Sequence, residues 1–313
     1  MLVLSEQQTR DALPFADLID ALAEMFAGDC VMPVRHHHDV AVPGEENATL
    51  LLMPAWQPGA YIGVKLVSVF PGNTRRGLPA IFGSYLLSSG KTGELLAIID
   101  GGELTARRTA AASALAARHL ARADAKRLLV IGAGRLSLNL VAAHSAVRPI
   151  EEIAIWGRDA AKAEAAAGEA RAAGFNARAV TDLERAGREA DIISCCTLSE
   201  TPLVRGAWLR PGTHLDLIGA FKPSMRETDD EAVTRATLFV DTRDGALSEG
   251  GDLVQPIRAG IIGPEAIRAD LAELVTGRDP GRRSPEEVTL FKSVGAALED
   301  LAGAILAYSN HGA

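Results

Sequence analysis

The second half of the chain alternates short apolar runs with helix-like stretches. Between residues 126 and 242 the runs are separated by segments such as Ala160–Ala173, whose alanines and charges favour a helix. This alternation is typical of a parallel sheet covered by helices on both faces, so we predict an α/β fold with a doubly wound sheet. The six predicted strands are Leu128–Ile131, Glu152–Trp156, Ala177–Val180, Asp191–Cys196, His214–Ile218 and Thr237–Val240.

The first part of the chain has a different pattern. Tyr61–Phe70, Pro79–Ser88 and Glu94–Asp100 read as strands separated by turn sequences, which favours an antiparallel or mixed sheet in a separate domain. Ala106–Ala123 lacks Gly and Pro and predicts a helix that links the two halves. A last helix is predicted from Pro285 to about Tyr308, and we expect it to return to the first domain.

Composition and charge narrow the class of protein. The chain has 313 residues, of which 48% are hydrophobic and 23% charged, as expected of a globular protein of two domains. Its net charge of −8 offers no basic field for nucleic acid. Neither a leader nor a membrane span is predicted, so we expect a cytoplasmic location. Cys30, Cys195 and Cys196 match no disulfide or zinc spacing and are interpreted as buried thiols.

A glycine pair follows the first strand of the α/β half. Gly132 permits a tight turn, and Gly134 lets backbone amides approach a pyrophosphate at the start of the next helix. Ser137 stands where a third Gly or Ala is usual, so the match to the dinucleotide-binding pattern is imperfect. The segment predicts a site for NAD or NADP.

The end of the second strand bears on the choice between these two cofactors. An acidic residue there would bind a ribose hydroxyl and indicate NAD. The first polar side chain is instead Arg158, which suits a 2′-phosphate. Arg158 therefore favours NADP(H), with NAD(H) possible. Asp159 is interpreted as the N-cap of the following helix. Arg135 could add charge at the phosphates or face solvent.

Several segments outside the glycine turn resemble the ornithine cyclodeaminase/mu-crystallin family. They occur in one order and extend the resemblance from about Arg35 to Leu301. The segments are 63–68 (GVKLVS), 70–79 (FPGNTRRGLP), 92–97 (TGELLA), 104–113 (LTARRTAAAS), 280–284 (PGRRS) and 289–295 (TLFKSVG).

The resemblance implies a homodimer whose subunits pair a substrate-binding and dimerisation domain, residues 1–115 and 290–313, with a Rossmann domain, residues 116–289. It also implies an active site in the cleft between the domains and a small amino or imino acid as substrate. The expected cofactor-binding residues are Thr109, Gly132, Gly134, Arg135, Leu136, Arg158, Thr197, Gly219 and Ser293.

Three cations match positions that grip the substrate carboxylate in this family. Lys65 lies in an otherwise apolar strand, where a bare ammonium is costly unless it is paired. Arg108 can form a bidentate fork with a carboxylate, and Arg107 is better explained as a surface charge. Arg35 matches a third arginine loosely. We expect Lys65 and Arg108 to be catalytic and all three cations, with Phe221, to bind substrate.

Phe221 departs from the pattern of the true ornithine cyclodeaminases. Their loop after the fifth strand carries an aspartate that transfers protons, and a phenyl ring cannot do so. Neither Asp216 nor Glu227 obviously replaces it. The loop is more similar to that of family members that reduce cyclic ketimines, and Phe221 would then form an apolar wall beside the substrate ring.

The leading hypothesis is therefore a reductase of Δ1-pyrroline-2-carboxylate or Δ1-piperideine-2-carboxylate that forms proline or pipecolate with NAD(P)H. Its proton donor is open between Lys65 and an ordered water. The alternatives are ornithine cyclodeaminase, an amino-acid dehydrogenase such as alanine dehydrogenase, and a crystallin-like protein that binds NADPH without turnover. No metal is expected, because the adjacent side chains of His36–His38 point to alternate faces of an extended segment.

Overall fold

The structure is a computed structural model that describes residues 1–311. The strands are β1 (Leu2–Leu4), β2 (His36–Val40), β3 (Ala48–Gln57), β4 (Tyr61–Val69), β5 (Ile81–Ser89), β6 (Leu95–Asp100), β7 (Arg127–Ile131), β8 (Glu152–Trp156), β9 (Ala177–Ala179), β10 (Ile192–Cys195), β11 (His214–Leu217), β12 (Thr237–Val240), β13 (Ile267–Asp270) and β14 (Thr289–Lys292). The helices are α1 (Glu6–Asp11), α2 (Phe15–Ala27), α3 (Gly101–Leu120), α4 (Leu136–Val147), α5 (Ala160–Ala172), α6 (Leu183–Glu189), α7 (Asp230–Arg235), α8 (Arg243–Glu249), α9 (Gly251–Arg258), α10 (Leu271–Val275) and α11 (Ala297–His311).

The chain divides into two compact units. The first is Met1–Arg108 with the segment that begins at Ala297, and the second is Thr109–Ala296. The divisions therefore fall at 108/109 and 296/297, where the sequence placed them at 115/116 and 289/290. The second boundary comes later than expected because β14 is a strand of the second unit's sheet.

The first unit is built on a six-stranded mixed sheet in the order β1-β6-β5-β4-β3-β2. Strands β2 to β6 pair antiparallel, and β1 pairs parallel with β6. The two faces of β4 differ, because Gly63 and Lys65 are buried while Ile62 and Leu66 are exposed. Helix α11 packs against β3, β4 and β5, and it also packs on the apolar face of α2.

The second unit contains an eight-stranded sheet in the order β13-β12-β14-β11-β10-β7-β8-β9. Every pairing in it is parallel. All six predicted strands are present, and the predicted α/β class with a doubly wound sheet is confirmed. Apolar residues from β7, β10, β11, β12 and β14 form its buried core.

The predicted helix Pro285–Tyr308 is wrong over its first part. Residues 289–292 form β14, which lies between β11 and β12, and α11 begins only at Ala297. Gly295 has a φ of +81°, a left-handed conformation that interrupts a helix. Burial of Leu290 and Phe291 in the centre of the sheet therefore overrides the local pattern.

The helix predicted at Ala106–Ala123 is observed as α3, which begins earlier and ends at Leu120. Strands β1, β2, β3 and β13, like β14, are additions to the predicted set. Within residues 1–311, no helix has both the length and the apolar character needed to cross a bilayer.

Candidate active site

Lys65 is buried inside the first unit. It lies on the inner face of β4, is 3% exposed, and places its Nζ atom 2.7 Å from Oδ2 of Asp300 on α11. Lys65 therefore does not extend to solvent from a strand edge. An ammonium has three N–H donors, so pairing with Asp300 leaves donors for a ligand.

Asp300 also holds the second predicted cation. Its Oδ1 atom accepts a hydrogen bond of 2.8 Å from Nε of Arg108, whose Nη1 donates to Oε2 of Glu299 at 2.6 Å. Lys65 and Arg108 thus meet at one carboxylate, and both acidic residues are fully buried. The Nη2 group of Arg108 makes no hydrogen bond to the described residues, so it can contact a ligand carboxylate.

Burial and charge act on the ionisation of this cluster. Burial lowers the pKa of Lys65 to about 8, with the positive charges of Arg108 and Arg35 acting in the same direction and Asp300 opposing them. Burial also disfavours the charged form of Asp300, but Arg108 and Lys65 outweigh it and lower the pKa of this carboxyl. At neutral pH the pair is a carboxylate beside an ammonium that can release a proton.

Arg35 lies near this cluster, since its charge lowers the pKa of Lys65. Arg35 is half-buried and directly precedes β2 in the chain. The structure therefore brings together the three cations that the sequence singled out. Arg107 is not a solvated charge, because its Nε donates to the backbone oxygen of Leu13 and its guanidinium stacks 4.2 Å from the ring centre of Phe15.

Sequence reasoning missed Asp300, Glu299 and Tyr85. Tyr85 is opposite Lys65 in the β4–β5 pairing, is fully buried, and its hydroxyl has no hydrogen-bond partner among the described residues. A side chain at Gly63 would collide with that hydroxyl at 1.9 Å, so this glycine makes room for the ring. Glu299 and Asp300 lie in a segment whose sequence predicts a half-exposed helix. Nothing in that pattern indicated that they would pair with Lys65 and Arg108.

The glycine turn of the second unit has the geometry of a phosphate-binding loop. Gly132 has a φ of +130°, and a Cβ atom there would lie 2.6 Å from Sγ of Cys196. A Cβ at Gly134 would meet open space. Ser137 donates from Oγ to the carbonyl oxygens of Gly132 and Gly134 at 2.7 and 2.9 Å, which explains a serine at the third position.

Helix α4 begins at Leu136, directly after the turn. Arg135 is its exposed N-cap residue and provides no side-chain cap. The N–H of Ser137 bonds to the carbonyl oxygen of Gly134 at 3.1 Å, but an uncapped helix start still attracts an anion. Arg158 follows β8 and is exposed. The Asp159 carboxylate accepts hydrogen bonds from the N–H groups of Ala161 and Lys162, which confirms it as the N-cap of α5.

Thr197, Gly219 and Ser293 follow the ends of β10, β11 and β14, at the carboxyl edge of the sheet. Ser293 donates from Oγ to Oδ2 of Asp241 at 2.9 Å. Thr109, by contrast, is a half-buried residue within α3.

Phe221 lies in the loop after β11 and is 38% exposed. The two acidic residues near it in sequence are engaged elsewhere. Asp216 accepts from Ser113 at 3.0 Å inside the second unit, and Glu227 accepts backbone N–H groups of Gly219 and Ala220. Both are fully buried, so neither substitutes at position 221 as an accessible proton-transfer group.

His36–His38 are the first three residues of the exposed edge strand β2. Throughout residues 1–311, no group of three or more His, Cys, Asp or Glu residues is arranged to hold a metal ion. All three cysteines are free thiols, but only Cys195 is fully buried, whereas the other two are half-buried. The interpretation of three buried thiols thus needs correction for Cys30 and Cys196.

The model of the ornithine cyclodeaminase/mu-crystallin family matches residues 2–313. The chain belongs to this family. The resemblance identified from the sequence segments is therefore confirmed, and the match extends beyond those segments on both sides.

Several relatives of known name are similar over nearly their full length. A Delta(1)-pyrroline-2-carboxylate reductase from Paracoccus denitrificans is 40% identical over 299 residues, covering 95% of this chain and 93% of the relative. The structure of the Thermococcus litoralis Delta(1)-pyrroline-2-carboxylate reductase with NADH and L-proline is 36% identical, with a TM-score of 0.92 over 100% of this chain and 98% of that chain. An archaeal alanine dehydrogenase dimer with bound NAD is 30% identical, with a TM-score of 0.89 over 99% and 95%.

Proposed function

We propose that this protein uses NAD(P)H to reduce a small cyclic imino acid, Δ1-pyrroline-2-carboxylate or Δ1-piperideine-2-carboxylate, to proline or pipecolate. The observation that carries this proposal is the buried cluster of Lys65, Asp300 and Arg108. The similarity to the two named pyrroline-carboxylate reductases supports it.

The cluster suits an imino acid in two ways. The remaining donors of Lys65 and Arg108 bind the substrate carboxylate, and Asp300 keeps both cations in place before substrate arrives. Reduction of a C=N bond also needs a proton at nitrogen. Lys65, whose pKa is lowered by burial to about 8, carries that proton at neutral pH and releases it readily, so we assign it as the proton donor.

The glycine turn and the start of α4 fit a dinucleotide. A Cβ at Gly132 would collide with Sγ of Cys196, a Cβ at Gly134 would meet open space, and no side chain caps the start of α4, which suits a pyrophosphate there. When bound, a reduced nicotinamide supplies the hydride. The exposed guanidinium of Arg158 favours NADPH, because it can pair with a 2′-phosphate without losing a partner in the described part of the chain.

Phe221 favours this activity over cyclodeamination. Its ring offers an apolar surface and no proton, and the nearby carboxylates are fully buried. An ornithine cyclodeaminase needs a carboxylate that exchanges protons with the amino acid. Alanine dehydrogenase remains a second candidate, since an archaeal alanine dehydrogenase is among the similar structures.

The test supplies each imine with NADH or NADPH and follows oxidation of the nicotinamide by its absorbance. We expect turnover of at least one imine, and about a hundredfold loss or more in Lys65→Met. Parallel assays measure ammonia release from ornithine with catalytic NAD and net NADH formation from alanine. Turnover of ornithine or alanine without turnover of either imine would overturn the proposal.

We also propose that two copies pair through the outer face of the first sheet. Ile62, Leu66 and Phe82 are 37–48% exposed on this face, which also carries Leu52 of β3 and Leu86 of β5. A dimeric state of the archaeal alanine dehydrogenase supports the pairing. The free thiols fit the cytoplasmic location that we propose.

A further inference from the structure

Glu227 joins two loops at the carboxyl edge of the second unit's sheet. Its Oε1 atom accepts from the backbone N–H and the hydroxyl of Thr197 at 2.7 and 2.8 Å. Its Oε2 atom accepts from the N–H groups of Gly219 and Ala220 at 2.8 and 3.2 Å. Glu227 is fully buried, so one carboxylate fixes the segments that follow β10 and β11.

A buried ion pair contacts the backbone of Glu227. Asp252 on α9 accepts the N–H of Glu227 at 2.7 Å through Oδ1, and its Oδ2 accepts from Nζ of Lys292 on β14 at 2.9 Å. Cys195 and Cys196 lie near Glu227, and burial raises the pKa of both thiols, so they are neutral. Two carboxylates and one ammonium therefore share this interior, with one negative charge in excess when all are ionised.

The order of strands indicates what lies over these loops. Strands β8 and β9 extend from β7 on one side, whereas β10 and β11 extend on the other, so the order reverses beside the glycine turn. Dinucleotides bind across such a reversal, with their pyrophosphate at the turn. With the adenosine half directed towards Arg158 after β8, the nicotinamide half lies over the ends of β10 and β11, where Thr197 and Gly219 are held by Glu227.

We propose that Glu227 is a positioning residue that fixes the nicotinamide-binding loops and whose buried charge favours the oxidised cofactor over the reduced one. The inference rests on the function proposed above. The oxidised nicotinamide carries a positive charge that the reduced form lacks. A fixed negative charge held by these loops would stabilise the oxidised form and so assist reduction of the imine.

The ionisation of Glu227 makes this preference depend on pH. Burial raises its pKa to about 7, with Asp252 adding to the rise and Lys292 opposing it. The charge is therefore present above pH 7 and is lost below it. Because a pyridinium cation favours the ionised carboxylate, the preference for the oxidised cofactor rises as pH increases through 7.

The test measures dissociation constants of the oxidised and reduced cofactors without substrate, at pH 6 and pH 8. It uses wild type, Glu227→Gln, Glu227→Asp and the control Glu200→Gln, which removes an exposed charge from the same loop as Thr197. In wild type and the control, we expect the preference for the oxidised form to increase between the two pH values. In Glu227→Gln this increase is absent, and the preference at pH 8 falls on the order of tenfold.

Glu227→Asp separates charge from geometry. The shorter side chain cannot reach both loops, so both cofactor forms bind more weakly while the pH dependence of their ratio remains. Equal weakening of both forms in Glu227→Gln, or a wild-type ratio that is flat with pH, would overturn the electrostatic role; the wild-type measurement stands even if Glu227→Gln does not fold. A wild type that binds neither dinucleotide would instead refute the proposed function, and this inference with it.

Discussion

Asp300 and Lys65 form an ion pair of 2.7 Å in the interior of the first unit, between residues that are 235 positions apart in the chain. The same carboxylate holds Arg108. Desolvating these charges costs free energy, and their mutual attraction offsets it only while the cluster is complete. The pair therefore links the stability of the first unit to the orientation of its two site cations.

Removal of the Asp300 charge tests this link. Asp300→Asn leaves Lys65 and Arg108 without their shared carboxylate, so we expect about 3 kcal/mol or more of destabilisation and about a hundredfold loss of kcat/KM for the imine. Thermal denaturation and initial rates measure the two effects. Asp17→Asn, an exposed aspartate on α2, is the control that should change neither. A fully stable and fully active Asp300→Asn enzyme would contradict the assigned role.

The proton-donor role of Lys65 predicts a pH dependence. Burial lowers its pKa to about 8, so the ammonium that donates a proton is present below pH 8 and is lost above it. Reduction of the imine should therefore slow as pH rises through 8, whereas oxidation of the cyclic amino acid should accelerate, because it needs the neutral amine. Rates in both directions between pH 6 and 10 check this.

Lys65→Arg keeps the positive charge but has no pKa in this range. It should bind substrate and lose the inflection near pH 8. If the variant retained the wild-type inflection, another group would be the proton donor. Substrate ionisation is common to both enzymes and cancels in the comparison.

The position of Arg158 leads us to predict a preference for NADPH over NADH. Arg158→Ala should raise the KM for NADPH by about tenfold to a hundredfold, because a charge-assisted contact to the 2′-phosphate is lost, and should leave the KM for NADH unchanged. Arg205→Ala, an exposed arginine elsewhere in the second unit, is the matched control. Equal effects on both cofactors would show that Arg158 does not discriminate between them.

Leu66 tests the proposed pairing of subunits. It is 37% exposed on the outer face of β4, flanked by Leu52 and Ser84 on the neighbouring strands. Leu66→Asp buries a charge at the centre of the interface, so the mass in solution should fall from twice 32.9 kDa to that of one chain. Light scattering after gel filtration gives the mass. Ile261→Asp, at 40% exposure in the second unit, should stay dimeric, and a monomeric wild type would refute the pairing.

The sequence predicted those parts of the molecule whose signal is local. The glycine turn, the six strands around it and the N-cap at Asp159 depend on neighbouring residues and were recognised. The family segments gave Lys65 and Arg108, because each stands in a recognisable motif, whereas Arg35 matched only loosely. The proximity of the three cations is a finding of the structure.

The missed features depend on residues distant in sequence. The acidic pair Glu299 and Asp300 reads as a charged turn of a terminal helix, and only the packing of α11 on β4 reveals its partners. Strand β14 has only four residues and ends in a lysine, so its sequence resembles a polar segment rather than a buried strand. Lys292 is tolerated there because Asp252, forty positions earlier, neutralises it.

The placement of β14 also fixes the order in which the protein can be completed. This strand lies between β11 and β12, so the central ladder of the larger sheet stays open until residue 292 has left the ribosome. Helix α11, which covers the sheet of the smaller unit, is synthesised later still. A nascent chain that stops before Thr289 therefore leaves β11 and β12 with unpaired edges and leaves the apolar face of the smaller unit's sheet uncovered. Both features promote aggregation. Completion of both units therefore requires the segment from Thr289 to His311, which supplies a central strand to one sheet and a covering helix to the other.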